Sequence, residues 1–391
     1  MSSRKSHRKG LTRLVRMAPT LAFKNLIHDR LSLLVTLVGI VFSVVLVAIQ
    51  CGLYLGSERT ISAVLDETKG DLWIVPLGTK SFDDPTFLKG REKYAALSTP
   101  GVAGVEDLVV GFAGWRKPNG GITAVLVVGS DFDKGGLAPW NLTQGSVGAL
   151  KAPDAVAVDE TYFTDLGITR AGATAEINGR KVTVAAVTKG IRSFTTLPYV
   201  FTSIERAQTW LEAGSHQSSY TLVKLSKGAD IEKVRATLAG RLKDAEVLTH
   251  AEFRKRSLDY WLFQTGAGSA LIAGALLGII VGIVIVAQTL YASTKDHLNE
   301  FATLRALGAS AGYIHQVILI QALLSALLGY LMGLALALWV VHATQDTTLN
   351  IVMTPKLALY LFALTIGMCT IAAVSAILKV TRIDPASVFS R

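Results

Sequence analysis

Seven histidines, two cysteines and a scatter of carboxylates are the groups in this chain that could bind a metal or move a proton. Their spacing gives them nothing to do together. His7, His28, His216, His250, His297, His315 and His342 form no His-x-x-x-His pair, and Cys51 and Cys369 form no Cys-x-x-Cys. Zinc needs three or four such donors converging, so no metal site is expected. No Gly-x-x-x-x-Gly-Lys-Ser/Thr loop occurs either, so the usual cradle for ATP phosphates is missing. Asp83-Asp84 and the Asp131/Asp133 pair read as turn residues on solvated loops. No catalytic residues are expected.

The elements around these residues explain why. The chain is 50% hydrophobic and 17% charged, against about 25% charged in an ordinary soluble protein. The deficit is concentrated in four windows without Asp, Glu, Lys or Arg: 31–57, 261–294, 306–345 (after Arg305) and 357–378. A bilayer is crossed by roughly 20 apolar residues in a helix, so each window suffices. An ion carrier usually places a charge deep within a span, and none lies there.

The net charge of +10 raises the question of nucleic acid. The position of the basic residues answers it. Arg4, Lys5, Arg8, Lys9, Arg13, Arg16, Lys24 and Arg30 precede the first span against a lone Asp29. That is the pattern of a cytoplasmic N-terminus, able to rest on anionic membrane lipids, with no nucleic acid as partner. The first apolar run is roughly twice the 7–15 residues of a signal-peptide core, so it reads as an uncleaved anchor. Between Pro19 and Leu31, Ala22, Phe23, Leu26 and Ile27 share one face of a short helix. It either lies on the inner membrane surface or extends the first span.

Four spans return the C-terminus to the cytoplasm. The division is then a basic tail and juxtamembrane helix (1–30), span one (31–57), a periplasmic domain (58–259), span two (260–294), a cytoplasmic loop (295–310), span three (311–345), a short periplasmic loop (346–356), span four (357–379) and a cytoplasmic tail (380–391). Arg254-Lys-Arg256 falls outside the membrane against the charge rule, but long translocated domains largely escape that rule. In 58–259, strands are expected at Asp71–Pro76, Ile122–Val128 and Asp154–Val158, and a hairpin turns at Asn178-Gly179. Helices are expected at Ser203–Leu211 and Asp230–Leu242, making an α+β domain. Gly274, Gly278 and Gly282 in span two, and Gly329 and Gly333 in span three, recur every four residues. Small residues so spaced let helix backbones approach closely, within one chain or between two copies.

The segment Lys295–Ser310 is a polar island between apolar spans. Glu300-Phe-Ala-Thr-Leu-Arg-Ala-Leu-Gly-Ala-Ser310 resembles the cytoplasmic loop of FtsX/MacB-type ABC-transporter permeases, usually Glu-Ile-Gly-Leu-Leu-Arg-Ala-Leu-Gly-Ala. Arg382-Ile-Asp-Pro-Ala-Ser-Val388 is similar to their C-terminal ending. Asp259-Tyr-Trp261, Gly282–Tyr291 and Asp296–Leu304 resemble the DevC branch of exporter permeases. Phe301-Ala302-Thr303 departs from the wider family's Ile-Gly-Leu and fits that branch. The resemblance implies a four-helix MacB-like permease fold, an α-helical membrane protein with an extracytoplasmic α+β domain between helices one and two. It implies a homodimer in the bacterial inner membrane, driven by a separate ABC ATPase that binds the ATP and Mg2+, with no cofactor held by this chain. It further implies a HlyD-type adaptor and a TolC-like outer-membrane channel, and export of a hydrophobic or amphipathic substrate. An FtsX-like relay that activates a periplasmic enzyme is the alternative. Glu300, Thr303, Arg305 and Gly308 are the expected ATPase interface. Glu300 and Arg305 are five apart, a poor spacing for an intrahelical pair, and Gly308 reads as a helix C-cap.

Overall fold

The computed structural model describes residues 19, 21–24, 26–132, 136–297, 300, 303, 310–345 and 347–381. Contacts sort the chain into two units, divided at Tyr54/Leu55, Ser269/Ala270, Gln345/Asp346 and Asn350/Ile351. Among the described residues, four helices are long and apolar enough to cross a membrane. They are α1 (Arg30–Asp66), α7 (Ala267–Asp296), α8 (Ala311–Ala343) and α9 (Pro355–Thr381). The first runs unbroken past the expected end at Ser57 to Asp66.

Helix starts follow local chemistry. Asp29 accepts from the Ser32 amide at 3.1 Å at the head of α1. The Ser310 hydroxyl accepts from the Tyr313 amide ahead of α8. Thr354 accepts from the Leu357 amide ahead of α9, whose first residue is Pro355. Each side chain satisfies an amide that the helix cannot, and proline suits a first turn because it has no amide to satisfy.

The other unit is the inserted α+β domain. Its strands are β1 (Leu72–Pro76), β2 (Val102–Arg116), β3 (Ile122–Ser130), β4 (Leu142–Gln144), β5 (Ala155–Asp159), β6 (Thr174–Ile177), β7 (Arg180–Thr188), β8 (Tyr199–Ser203), β9 (Tyr220–Leu225) and β10 (Ala245–Thr249). Its helices are α2 (Arg91–Leu97), α3 (Phe163–Leu166), α4 (Ile204–Trp210), α5 (Ile231–Arg241) and α6 (His250–Asp259). The strand order is β10-β1-β9-β2-β3-β8-β5-β7-β4, with β6 pairing β2 and β7. The pairs β3/β8 and β5/β7 are parallel, and the others antiparallel.

Strand β2 joins the two lobes of this sheet. Residues 102–108 pair with β9 and residues 109–116 with β3. At the handover the Ser219 hydroxyl donates to the Val110 carbonyl at 2.6 Å and accepts from the Val110 amide at 2.9 Å. One side chain there does the work of a neighbouring strand, which keeps a buried peptide group paired.

Alternate residues of the central strands feed opposite cores, because side chains along a strand point to alternate faces. Trp73 and Val75 of β1, Leu108 and Val110 of β2, and Leu126 and Val128 of β3 enter a central cluster with Tyr199 and Phe201. Leu72 and Ile74 pack instead under α5 with Val234 and Leu238. Val125, Val127, Val156 and Val158 pack with Trp115 and Trp210 on the far side of the second lobe. Strand β5, in the middle of the second lobe, is buried along its whole length. In the central cluster, Trp73 lies 5.9 Å from Tyr220 and 5.1 Å from Phe253, ring centre to ring centre.

The expected hairpin turns at Asn178 (φ 48°) and Gly179 (φ 79°). Two successive left-handed residues match the right-handed twist of the flanking strands, and Asn-Gly tolerates them best.

Candidate coupling segment and helix seam

The five glycines singled out by spacing all face the first helix of the same chain. Cβ atoms added at Gly274 and Gly278 would meet Gln50 at 2.7 Å and Val47 at 3.1 Å, respectively. At Gly282 a Cβ would lie 2.5 Å from both the Ser43 hydroxyl and the Met368 sulfur. The partner residue number falls along α1 as it rises along α7, so those helices run antiparallel. On α8, Gly329 opposes Ile40 and Gly333 opposes Val44, a parallel register. The Ser43 hydroxyl donates to the Gly278 carbonyl at 2.7 Å, a bond that close approach alone permits. Packing within the chain thus accounts for both stripes.

Two further glycines, Gly52 and Gly56, drew no attention from spacing. A Cβ on Gly52 would meet Ile351 at 2.8 Å, and one on Gly56 would overlap the Asn350 carbonyl. The Val352 amide donates to the Gly52 carbonyl at 3.0 Å, so the connection between α8 and α9 lies against bare backbone of α1.

In the polar segment after α7, Glu300 is exposed and its carboxylate lies 3.1 Å from His297 Nδ1, three residues back. Thr303 is exposed and helical. Arg305 and Gly308 lie outside the described residues, and with them the Arg305 part of the expected ATPase contact and the expected Gly308 cap.

Where the inserted domain meets its helical stems, Arg254 of α6 donates to Asp66 at the end of α1 at 3.0 Å and lies 3.6 Å from Glu58. Arg256 donates to Glu246 at 2.7 Å. That hydrogen bond, ahead of other causes, holds the Glu246 carboxyl below its ordinary range. The basic run that sat awkwardly with the charge rule is thus largely spent on local ion pairs. The capping box of Thr249 and Glu252 starts α6, and a five-residue π-turn, Tyr260–Gln264, connects it to α7. Trp261 of that turn packs on Phe194 at 5.2 Å, and Lys80 lies 5.6 Å over the Tyr260 ring.

One expectation about the domain is overturned. Asp83 sits in a turn, as expected, but it is 5% exposed rather than solvated. The Tyr199 hydroxyl donates to it at 2.8 Å. Burial, only partly offset by that bond, pushes its carboxyl up to about 6. Burial likewise holds Tyr199 and Tyr220 far above the ordinary phenol range. Asp84, its neighbour, is exposed. Asp131 is half-buried, and Asp133 lies outside the described residues.

The domain also carries a cleft of about 450 Å3 between α2 and α4, lined in part by Tyr94, Leu97, Glu106, Ile204 and Glu205. Lys93 on its wall is paired to Asp107 at 2.7 Å, and burial raises the Glu106 carboxyl. No residue spacing in the sequence could have marked this cleft, since its walls come from segments far apart in the chain. Among the described residues no cluster of His, Cys, Asp or Glu is arranged to hold a metal.

Four apolar helices, with an α+β domain inserted between the first and second, define a membrane protein of the MacB-like permease fold. Residues 33–241 match the family described as MacB-like periplasmic core domain, and residues 272–385 match FtsX-like permease C-terminal. The chain belongs to the FtsX/MacB-type ABC-transporter permeases. Such permeases work with ABC ATPase partners and are not generally enzymes themselves. Among solved structures, the chain is similar to the periplasmic region of MacB from Actinobacillus actinomycetemcomitans. The two are 17% identical over 47% of this chain and 90% of that one, with a TM-score of 0.36. It is also similar to the extracellular domain of the noncanonic ABC-type transporter YknZ from Gram-positive bacteria. There the identity is 14% over 46% of this chain and 99% of that one, with a TM-score of 0.33. No match was found among curated proteins.

Proposed function

We propose that this chain is the membrane subunit of an ABC-type efflux transporter, coupling ATP hydrolysis on a separate ATPase to conformational change in the inserted domain. The observation that carries this reading is the joint occurrence, in one chain, of matches to a MacB-like domain and to an FtsX-like C-terminal region. The basic N-terminus supports a cytoplasmic location for both termini and for segment 295–310, with the inserted domain in the periplasm and the spans in the inner membrane. A homodimer with two ATPase copies would hold ATP and Mg2+ on the ATPase side only. Glu300, Thr303, Arg305 and Gly308 are the proposed contact. The DevC-like motifs support a tripartite assembly with a HlyD-type adaptor and a TolC-like channel, taking a hydrophobic or amphipathic substrate from the periplasm or outer leaflet.

A relay reading uses the same coupling without flux, activating a periplasmic enzyme as FtsX-like proteins do. Measuring substrate movement separates the two.

Co-purification and ATPase stimulation test the contact. The double variant Glu300→Ala, Arg305→Ala should insert normally yet lose stimulation of the partner ATPase. Stimulation equal to that of the unaltered chain would remove the site. The purified permease alone should hydrolyse no ATP, and measurable turnover would overturn the division of labour.

A further inference from the structure

The segment ahead of α1 has an asymmetry that the coupling role does not use. Ala22 is fully buried in a cluster with Tyr313 and Val317 of α8, so one side of the segment is fixed against the membrane helices. Phe23 and Ile27 are left exposed on another side. Leu31, Leu34, Val35, Val38 and Phe42 are exposed as well, spaced three or four residues apart save for the adjacent Leu34 and Val35. Exposed apolar side chains therefore continue from this segment, across the cap at Asp29, onto a face of α1, where Leu31, Leu34, Val35, Val38 and Phe42 share one helical side.

Cations flank these side chains at their inner end. Lys24, His28 and Arg30 are exposed, and with Phe23 and Ile27 they line a shallow depression of about 500 Å3. The carboxylate nearest in sequence, Asp29, is engaged by the Ser32 amide as the cap of α1. Lys24 and Arg30 have no acidic partner among the described residues. The depression thus joins phosphate-binding chemistry to an apolar wall that runs on into the bilayer. A soluble anion would use only the first of these, and an acyl chain only the second.

We infer that Lys24, His28 and Arg30, with Phe23 and Ile27, form a headgroup site for an anionic phospholipid of the leaflet in which α1 begins. The phosphate lies between the cationic side chains, and an acyl chain follows Phe23 and Ile27 onto the exposed face of α1. The site anchors the start of α1, the helix against which both glycine stripes pack. The assignment to the inner leaflet rests on the cytoplasmic N-terminus proposed above. The lipid site itself does not, since detergent micelles expose both ends of the chain.

The test uses the purified full chain in detergent with phosphatidylglycerol, phosphatidylcholine or inorganic phosphate added. Retained lipid is read by native mass spectrometry and thermal stability by melting. Phosphatidylglycerol should be retained and should stabilise, phosphatidylcholine much less, and inorganic phosphate not at all. Each cationic side chain near an anionic surface contributes roughly fivefold in binding, so Lys24→Gln with Arg30→Gln should weaken retention by more than tenfold. A second chain, with Arg4, Lys5, Arg8, Lys9, Arg13 and Arg16 replaced by Gln, should keep the preference for phosphatidylglycerol. Equal retention of the two lipids, equal retention by the Lys24/Arg30 variant, or a preference abolished only in the tail variant would each overturn the site. Protection of an introduced N-terminal cysteine from external labelling in vesicles reports the topology separately.

Discussion

The Arg254 guanidinium holds the Asp66 carboxylate at 3.0 Å, tying the end of α1 to the helix that leads into α7. The two side chains are 33% and 46% exposed, so water screens the pair. A pair of this kind contributes about 0.2–1 kcal/mol. A double-mutant cycle with Arg254→Ala and Asp66→Ala should find a coupling inside that range by melting. If α1 and α6 move together, stimulation of the partner ATPase should fall further than the loss of folded protein accounts for. Stimulation that tracks folded protein alone would leave the pair with no part in coupling.

Asp83 makes the inserted domain sensitive to pH in a stated direction. Burial raises its carboxyl from an ordinary 3.8 to about 6. Between these values the folded chain holds a proton that the unfolded chain has released. Asp83's contribution to stability is therefore fully present below about pH 4 and is lost as pH rises through about 6. Asp83→Asn keeps an acceptor for Tyr199 and never ionises. It should raise the melting temperature at pH 7.5, with the difference vanishing near pH 4. A variant that loses more stability at pH 7.5 than near pH 4 would show that the charged form is favoured.

The seam around α1 is sensitive to added volume. Gly282→Val would drive a side chain into Ser43 and Met368, and Gly329→Val into Ile40. Overpacking of this kind costs about 1–3 kcal/mol. Gly367, whose Cβ would meet nothing within 4 Å, is the control. Size-exclusion profiles in detergent should show aggregation for Gly282→Val and Gly329→Val but not for Gly367→Ala.

Asn178 does more than turn a hairpin. Its side-chain oxygen accepts from the Gly114 amide at 2.9 Å, and its nitrogen donates to the Trp210 carbonyl at 2.9 Å. Asn178→Gly keeps the turn's backbone freedom but removes both bonds. At about 1 kcal/mol for each bond, it should lower stability by roughly 2 kcal/mol in denaturant melts. A neutral result would mean that water replaces both bonds.

What could be read in advance depended on how local the cause was. The four spans follow from composition alone, and the Asn178-Gly179 turn from a dipeptide whose conformational preference is intrinsic. The glycine stripes announced close packing but not their partner, because spacing says nothing of which helix lies opposite. Asp83 was misread for a related reason. Two adjacent carboxylates look solvated, and its burial depends on Tyr199, 116 residues further on. The roles of Ser219 and Gly56 were equally hidden, since each is defined by a backbone group remote in sequence. Glu300 and Thr303 stood out through the family likeness of their segment rather than through any chemistry of their own.

The placement of β1 has a consequence for how the protein is made. Trp73 pairs with Leu222 on one side and Leu248 on the other, so this early strand is enclosed entirely by late ones. Until synthesis has passed Leu225, Leu72–Pro76 has no edge to join, and its second neighbour arrives only with Ala245–Thr249. Such long-range pairing slows folding and leaves open strand edges exposed to aggregation. Completion of the domain therefore waits for the chain that leads directly into the second span.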